Sequence, residues 1–359
     1  MTRRTLVTML TVPALAIASY AAAAFMTVNT VTPDAPTKPP QFEVEPAWPK
    51  PLPNGWLLGQ AAGVAVDRHD NIWVVQRPKS LTDDEKGATL TPPRSMCCAP
   101  APPVLEFDVE GNLLASWGGS GHGHAWPINE HGIYVDHQDN VWLAGNGAKD
   151  GMILKFTKAG KHLLTIGAPN VIGNDTDTKH LNRPANMVVD PQTNELFVAD
   201  GYGNHRVAVF DAGNGTFKRM WTANGGKPFN IVHAIKVSND GLVYVADRGN
   251  KRVQVFTTAG EFRKELAIGG DTPAMQTAAG LAFSPDREQR FLYVADLGNN
   301  QIVIVDRRTL TILGSFGKGG TNPGEFGTIH EIATDSKGNL YSAELRTRRV
   351  QKFVLKGIS

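Results

Sequence analysis

Cysteine is almost missing from this chain: there are two, and they are adjacent, Cys97 and Cys98. Neighbouring cysteines cannot tie distant segments together, so no disulfide framework holds the fold. An excess of one charge is missing too. Lys and Arg number 36 against 34 Asp and Glu, a formal charge of +2 over 359 residues. With no basic run either, a nucleic-acid surface is not expected. Charged residues are 19% and hydrophobic ones 41%, the balance of a globular chain and not of a disordered one. Beyond residue 40 helical periodicity is absent. In its place are short alternating, β-branched runs separated by Asn, Asp and Gly, which read as strands and turns.

The first residues differ from the body. Arg3 and Arg4 precede an uncharged stretch from Thr5 to about Val28 that contains Ala21-Ala22-Ala23-Ala24. This pattern is expected to be a secretory signal over 1–28, with an uncleaved anchor as the alternative. Residues 29–40 are rich in Pro and Thr and read as a linker. The body is therefore expected to lie outside the cytoplasm, periplasmic or secreted, with a membrane as partner only if the leader is retained.

The body, 41–359, is organised by a register that recurs six times. Ala62, His131, Ala185, His233, Ala279 and His330 stand at the start of AGVAVD, HGIYVD, ANMVVD, HAIKVS, AGLAFS and HEIATD. From His131 to His330 the successive positions lie 54, 48, 46 and 51 residues apart, the spacing of propeller blades. Each repeat reads as four strands, and none can bury both its faces alone, so the repeats must stack around an axis. The expected fold is all-β, a six-bladed β-propeller. The sixth repeat runs out after three strands, and 41–46 is expected to supply the fourth, closing the ring and leaving no open edge. The first repeat carries an insertion at about 79–103.

Small residue and histidine alternate through that register. In a closed ring of six, the three histidines stand about 120° apart and aim at one point on the axis. Three imidazoles with an open fourth position describe a catalytic zinc site. Antiparallel pairing then places the ends of the second strands at the same rim. Arg77, Tyr202 and Arg248 occupy those ends, so a phenol and two guanidiniums are expected to surround the metal's open side. Such a set suits an anionic substrate with a proton to lose.

These blades resemble NHL repeats. The text around the register, notably Arg77, His131-Gly132, Asp200-Gly201-Tyr202, His233, Ala246-Asp247-Arg248 and His330, resembles the peptidyl-α-hydroxyglycine α-amidating lyases. The resemblance implies that His131, His233 and His330 hold Zn2+, that Tyr202 is the general base with Arg77 beside it, and that the product pair is an amide and glyoxylate. An unassisted phenol keeps its proton at neutral pH, and a guanidinium and a divalent metal both favour the phenolate. Arg248 would clamp the substrate carboxylate with its fork. The resemblance also implies Ca2+ on the axis, bound by Glu331 and the carbonyls of Ala62 and Ile133. The expected partner is a peptide or small molecule ending in α-hydroxyglycine.

A non-catalytic NHL scaffold, binding protein or ligand outside the cytoplasm, is the competing reading. It accounts for the repeats but not for the alternation. Asp200, Asp247 and Asp296 recur before turns and are expected to cap them. Arg206 and Arg252 are expected to be structural pairs. His122, His124, His137, His162, His180 and His205 share no register; most are expected on exposed loops, with reach to the rim as the alternative for His122 and His124. Cys97-Cys98 reads either as a disulfide or as two thiols, and the insertion around it either as a lid or as an outer loop.

Overall fold

The computed structural model describes residues 38–358 apart from 271 and 275, together with the first two residues. Met1–Pro36 and Thr37–Ser359 are separate units. The expected leader, but for its first two residues, and the linker as far as residue 37 lie outside the described residues. No helix among the described residues is long and apolar enough to cross a membrane.

The second unit is a ring of six four-stranded antiparallel sheets. The innermost strands are Gln60–Val66, Glu130–Val135, Asn186–Asp190, Val232–Val237, Ala278–Phe283 and Ile329–Thr334, in blades 1 to 6. Each is a neighbour of the next around the axis, and that of blade 6 meets that of blade 1. Pro40–Glu45 pairs antiparallel with the last strand, Val350–Ile358, so the final blade is completed from the other end of the chain, as the sequence implies. The closing strand begins one residue before the predicted Gln41.

What holds the ring is apolar packing between blades. Six buried clusters among the described residues each draw on two neighbouring blades. One joins Trp142, Ile153 and Ile166 of blade 2 to Met187, Val198 and Phe210 of blade 3. Another closes the circle with Tyr341 and Val350 of blade 6 against Val64, Val74 and Phe107 of blade 1. Strand alternation makes this possible, because each face of a blade presents a row of Val, Ile, Phe or Tyr to the next.

The sequence register is not a plain strand start. In blades 1, 2, 4, 5 and 6 the pairing of first and second strands slips there. Ala62, His233 and His330 are skipped singly, whereas His131 is skipped with Gly132 and Ala279 with Gly280. A bulge re-aims one side chain without disturbing the strand beyond it. Here it frees the imidazoles from the pleat's alternation, while Ile133, Ile235 and Ile332 remain in the seams between blades.

Candidate metal and substrate site

The three imidazoles meet. His131, His233 and His330 are 2%, 0% and 1% exposed, and their metal-binding nitrogens lie within 4.8 Å of one another. Each ring is held from behind. His131 Nδ1 donates to the Ala185 carbonyl at 2.8 Å, His233 Nδ1 to Ala279 at 3.0 Å, and His330 Nδ1 to Ala62 at 2.6 Å. The acceptor is in every case the small residue at the same register of the next blade. This explains the alternation: the alanine carbonyl orients the histidine of the blade before it.

The hydrogen bonds place the ring proton on Nδ1 and leave Nε2 as a bare acceptor. His233 Nε2 and His330 Nε2 are 3.1 Å apart. Two lone pairs facing at that distance repel unless a cation lies between them. The edge of a tetrahedral zinc site with N ligands is about 3.3 Å, so the spacing suits that ion. Burial, reinforced by nearby Arg77 and Arg248, also holds the rings in the neutral, ligating form. His131 and His233 are pushed well below the ordinary range and His330 down to about 3.

A pH dependence follows. The folded state favours neutral rings, so between pH 6.5 and about 3 the unfolded chain binds more protons. The contribution to stability is whole above 6.5 and is lost as the pH falls toward about 3. Protons compete with metal in the same sense. The urea midpoint of metal-stripped protein is expected to drop between about pH 7.5 and about pH 5; a flat midpoint would mean that the rings are not held neutral.

Gly132 shows how tightly the register is set. A Cβ there would lie 2.4 Å from the Ala185 carbonyl oxygen, the atom that orients His131. Gly132→Ala is expected to lower stability by roughly 2–3 kcal/mol and to weaken metal binding, read from urea unfolding and a zinc titration.

Tyr202 and Arg248 reach the site by one repeated device. Two residues before the register the backbone is left-handed, at Arg183, Ile231 and Thr328, with φ of 60°, 62° and 65°. Their carbonyls accept the N–H of Tyr202, Arg248 and Leu345, the residues just past the second strands of blades 3, 4 and 6. Acidic residues pin the same loops: Asp200 accepts the Asn182 N–H, Asp247 that of Asn230, and Glu344 that of Gly327. Arg206 and Arg252 pair with Asp200 and Asp247. These carboxylates hold the loops between blades in addition to the turns that follow them.

Tyr202 Oη donates to His131 Nε2 at 2.9 Å and accepts from Arg248 Nη1 at 3.0 Å. Arg77 donates through Nε to the Glu130 carbonyl at 2.7 Å and through Nη1 to Gln60 Oε1 at 2.9 Å. Burial pushes the Arg77 guanidinium below its ordinary value, against the pull of Tyr202 and Glu130. Arg183, absent from the sequence reading, packs its guanidinium 5.8 Å from the centre of the Tyr202 ring. Its place two residues ahead of Ala185 was the available signal. Buried Arg248 leaves Nε without a partner among the described residues. None of Arg77, Arg183 and Arg248 forms an ion pair with a described carboxylate. The site therefore carries positive charge that a ligand anion would neutralise.

Two of the three residues expected to bind calcium already accept hydrogen bonds. The Ala62 carbonyl takes the His330 N–H. Glu331 Oε2 accepts from Asn186 Nδ2 at 2.8 Å, and Oε1 faces the Ile332 N–H. Ile133 is where pairing resumes after the bulge, with its side chain in the seam of blades 1 and 2. Burial raises Glu331 to about 7, opposed first by the charge of Lys236. Calcium takes six to eight oxygen ligands, and each of these three oxygens of the expected set already accepts one hydrogen bond.

The insertion spans 78–103, between Arg77 and the strand Val104–Phe107. It stays on the histidine rim, where Glu85 pairs with Arg348 just past the second strand of blade 6. Cys97 and Cys98 within it form a disulfide. His124 is not a free loop residue: it stacks on His162 at 5.4 Å and against Phe156.

Comparison with known proteins agrees with this architecture. The NHL repeat model matches residues 181–210 and 229–256, in blades 3 and 4. NHL repeat-containing protein 3 of Mus musculus is 26% identical over 330 residues, covering 88% of this chain and 84% of that one. Peptidyl-alpha-hydroxyglycine alpha-amidating lyase 1 of Drosophila melanogaster is 26% identical over 345 residues, covering 87% of this chain and 60% of that one. Among solved structures, a streptogramin B lyase superposes with a TM-score of 0.53 at 13% identity, over 88% of this chain and 98% of that one, a likeness of fold. The chain is thus a six-bladed β-propeller carrying NHL repeats, related at about 26% identity to NHL repeat-containing protein 3 and to the peptidyl-α-hydroxyglycine α-amidating lyases.

Proposed function

We propose that the chain is a metal-dependent lyase that cleaves the C–N bond of a peptidyl-α-hydroxyglycine, or a related α-hydroxy amide, to an amide and glyoxylate. The observation that carries this reading is the convergence of three Nε2 lone pairs beside Tyr202 and three guanidiniums that form no ion pair with a described carboxylate. His131, His233 and His330 would hold zinc, which supplies Lewis acidity toward the substrate hydroxyl.

The rest is done by side chains. Arg248 orients the substrate carboxylate with its guanidinium, whose Nε has no partner among the described residues. Tyr202, reacting as a phenolate whose charge Arg77 and Arg248 offset, takes the hydroxyl proton and becomes the neutral phenol. The electron pair left on oxygen forms the carbonyl of glyoxylate while the C–N bond breaks. The departing amide nitrogen takes that proton from Tyr202, so proton and electron counts balance without a redox cofactor. With the leader expected at 1–28, the reaction would take place outside the cytoplasm. The test is incubation with α-hydroxyhippurate. Benzamide and glyoxylate are expected in equal amounts, abolished by a zinc chelator and restored by zinc; no release from zinc-loaded protein would overturn the proposal.

A further inference from the structure

Three guanidiniums stand at the histidine rim, and the reaction proposed above employs two of them, Arg77 beside the phenol and Arg248 on the substrate carboxylate. Arg183 is the third, and nothing in its place in the fold requires a charge. It holds the left-handed position two residues before the register, with φ of 60°. The same position is Ile231 in blade 4 and Thr328 in blade 6, with φ of 62° and 65°. The backbone device works with an apolar or a neutral side chain, so the arginine is there for its own chemistry.

Half-buried Arg183 is fixed along its length. Its N–H donates to the Asp150 carbonyl at 2.7 Å, and its carbonyl accepts the Tyr202 N–H at 3.3 Å. Its Nε donates to the Asn146 carbonyl at 3.2 Å. Asn146 follows the second strand of blade 2, Val141–Gly145, as Tyr202 and Arg248 follow those of blades 3 and 4. The Arg183 guanidinium lies 5.8 Å from the centre of the Tyr202 ring and that of Arg248 5.1 Å from it. Both approach the phenol, one from the seam of blades 2 and 3 and the other from blade 4. Nη1 and Nη2 of Arg183 make no hydrogen bond to a described residue. The carboxylates of the adjoining loops are taken. Asp150 accepts the N–H groups of Ile128, Asn129 and Gly147. Asp200 accepts those of Asn182, Asn204 and Arg206. A guanidinium anchored at Nε, with both terminal nitrogens free, presents a planar fork to a carboxylate.

We propose that Arg183 sets substrate specificity by binding a second carboxylate, carried on the acyl side of the scissile C–N bond. This rests on the reading of the rim as an α-hydroxyglycine site: with the glycine-end carboxylate on Arg248, the acyl part is what remains to meet Arg183. The preferred substrate is then a dianion, an α-hydroxyglycine joined to an acidic residue or to a dicarboxylic acyl group. The test is calorimetric titration of the full chain, as purified, with ligands that lack the hydroxyl and are not cleaved. N-benzoyl-glutamyl-glycine and N-benzoyl-glutaminyl-glycine match in shape and differ in charge, so the ratio of their Kd values isolates the second carboxylate. N-succinyl-glycine and N-succinamoyl-glycine form a second pair, which tells a peptide side chain from the end of a short acyl group. Wild type is expected to favour the acidic member of at least one pair by about tenfold. Arg183→Gln is expected to bring that ratio close to unity, and Arg183→Lys to keep part of it. A role confined to packing on Tyr202 would shift both members of a pair alike and leave the ratio unmoved. Equal affinities in both pairs, or no binding, would overturn the proposal on wild type alone, with no variant needing to fold. So would a preference that survives Arg183→Gln. Failure of the lyase reading shows separately, as absence of glyoxylate from α-hydroxyhippurate.

Discussion

His233→Ala is expected to purify with less than about one-tenth of an equivalent of zinc, where the wild type carries about one. The loss is direct: two imidazoles remain, and the bare Nε2 of His330 loses the neighbour 3.1 Å away with which it would share an ion. Glyoxylate release should fall by about a thousandfold, the several kcal/mol that a Lewis acid contributes. The substitution also leaves the Ala279 carbonyl without its N–H donor, at a cost of about 1–3 kcal/mol. Circular dichroism and a urea midpoint must therefore accompany the metal analysis, to separate loss of metal from loss of fold. A zinc-free wild type, or a folded His233→Ala protein that keeps its zinc, would end the metal-site reading.

Tyr202→Phe separates the base from the metal. It removes one oxygen and leaves His131, His233 and His330 and the carbonyls behind them intact, so zinc content should not change. Turnover of α-hydroxyhippurate should fall by roughly 10²–10⁴, the usual worth of a positioned general base. The loss is expected in kcat with KM nearly unchanged, because the carboxylate contact belongs to Arg248. The variant also loses the O–H donor to His131 Nε2 and the acceptor for Arg248 Nη1, so a modest change in zinc affinity is compatible with the role. Turnover close to wild type would remove Tyr202 as the base, whatever the metal content.

The site was legible where chemistry and repetition coincide. Histidine is 10 of 359 residues, and three of them in one register are visible without coordinates. Antiparallel connectivity was enough to send Tyr202 and Arg248 toward the same rim. What could not be read was how the backbone aims those groups. A bulge at His233 or His330 has no local composition signal, since it depends on which residue of the second strand the first one skips. Arg183 was passed over because its value lies in a left-handed backbone and a ring packed against it. The calcium expectation assigns carbonyl donors by position, and position does not say that a neighbouring blade's imidazole already donates to the Ala62 carbonyl.

The sequence by itself determined the number of blades, the closing strand and the alternation of histidine with a small residue, because strand period and repeat spacing are local properties that recur. Only the tertiary structure decided what the small residues do and what fills the axis. Ala62, Ala185 and Ala279 act through backbone carbonyls on side chains from 46 to 268 residues away. Glu331 and Asn186 come together only because closing the ring brings blades 3 and 6 onto one axis. Contacts of that kind depend on closure, and strand patterns carry no record of which carbonyl or amide will face which partner.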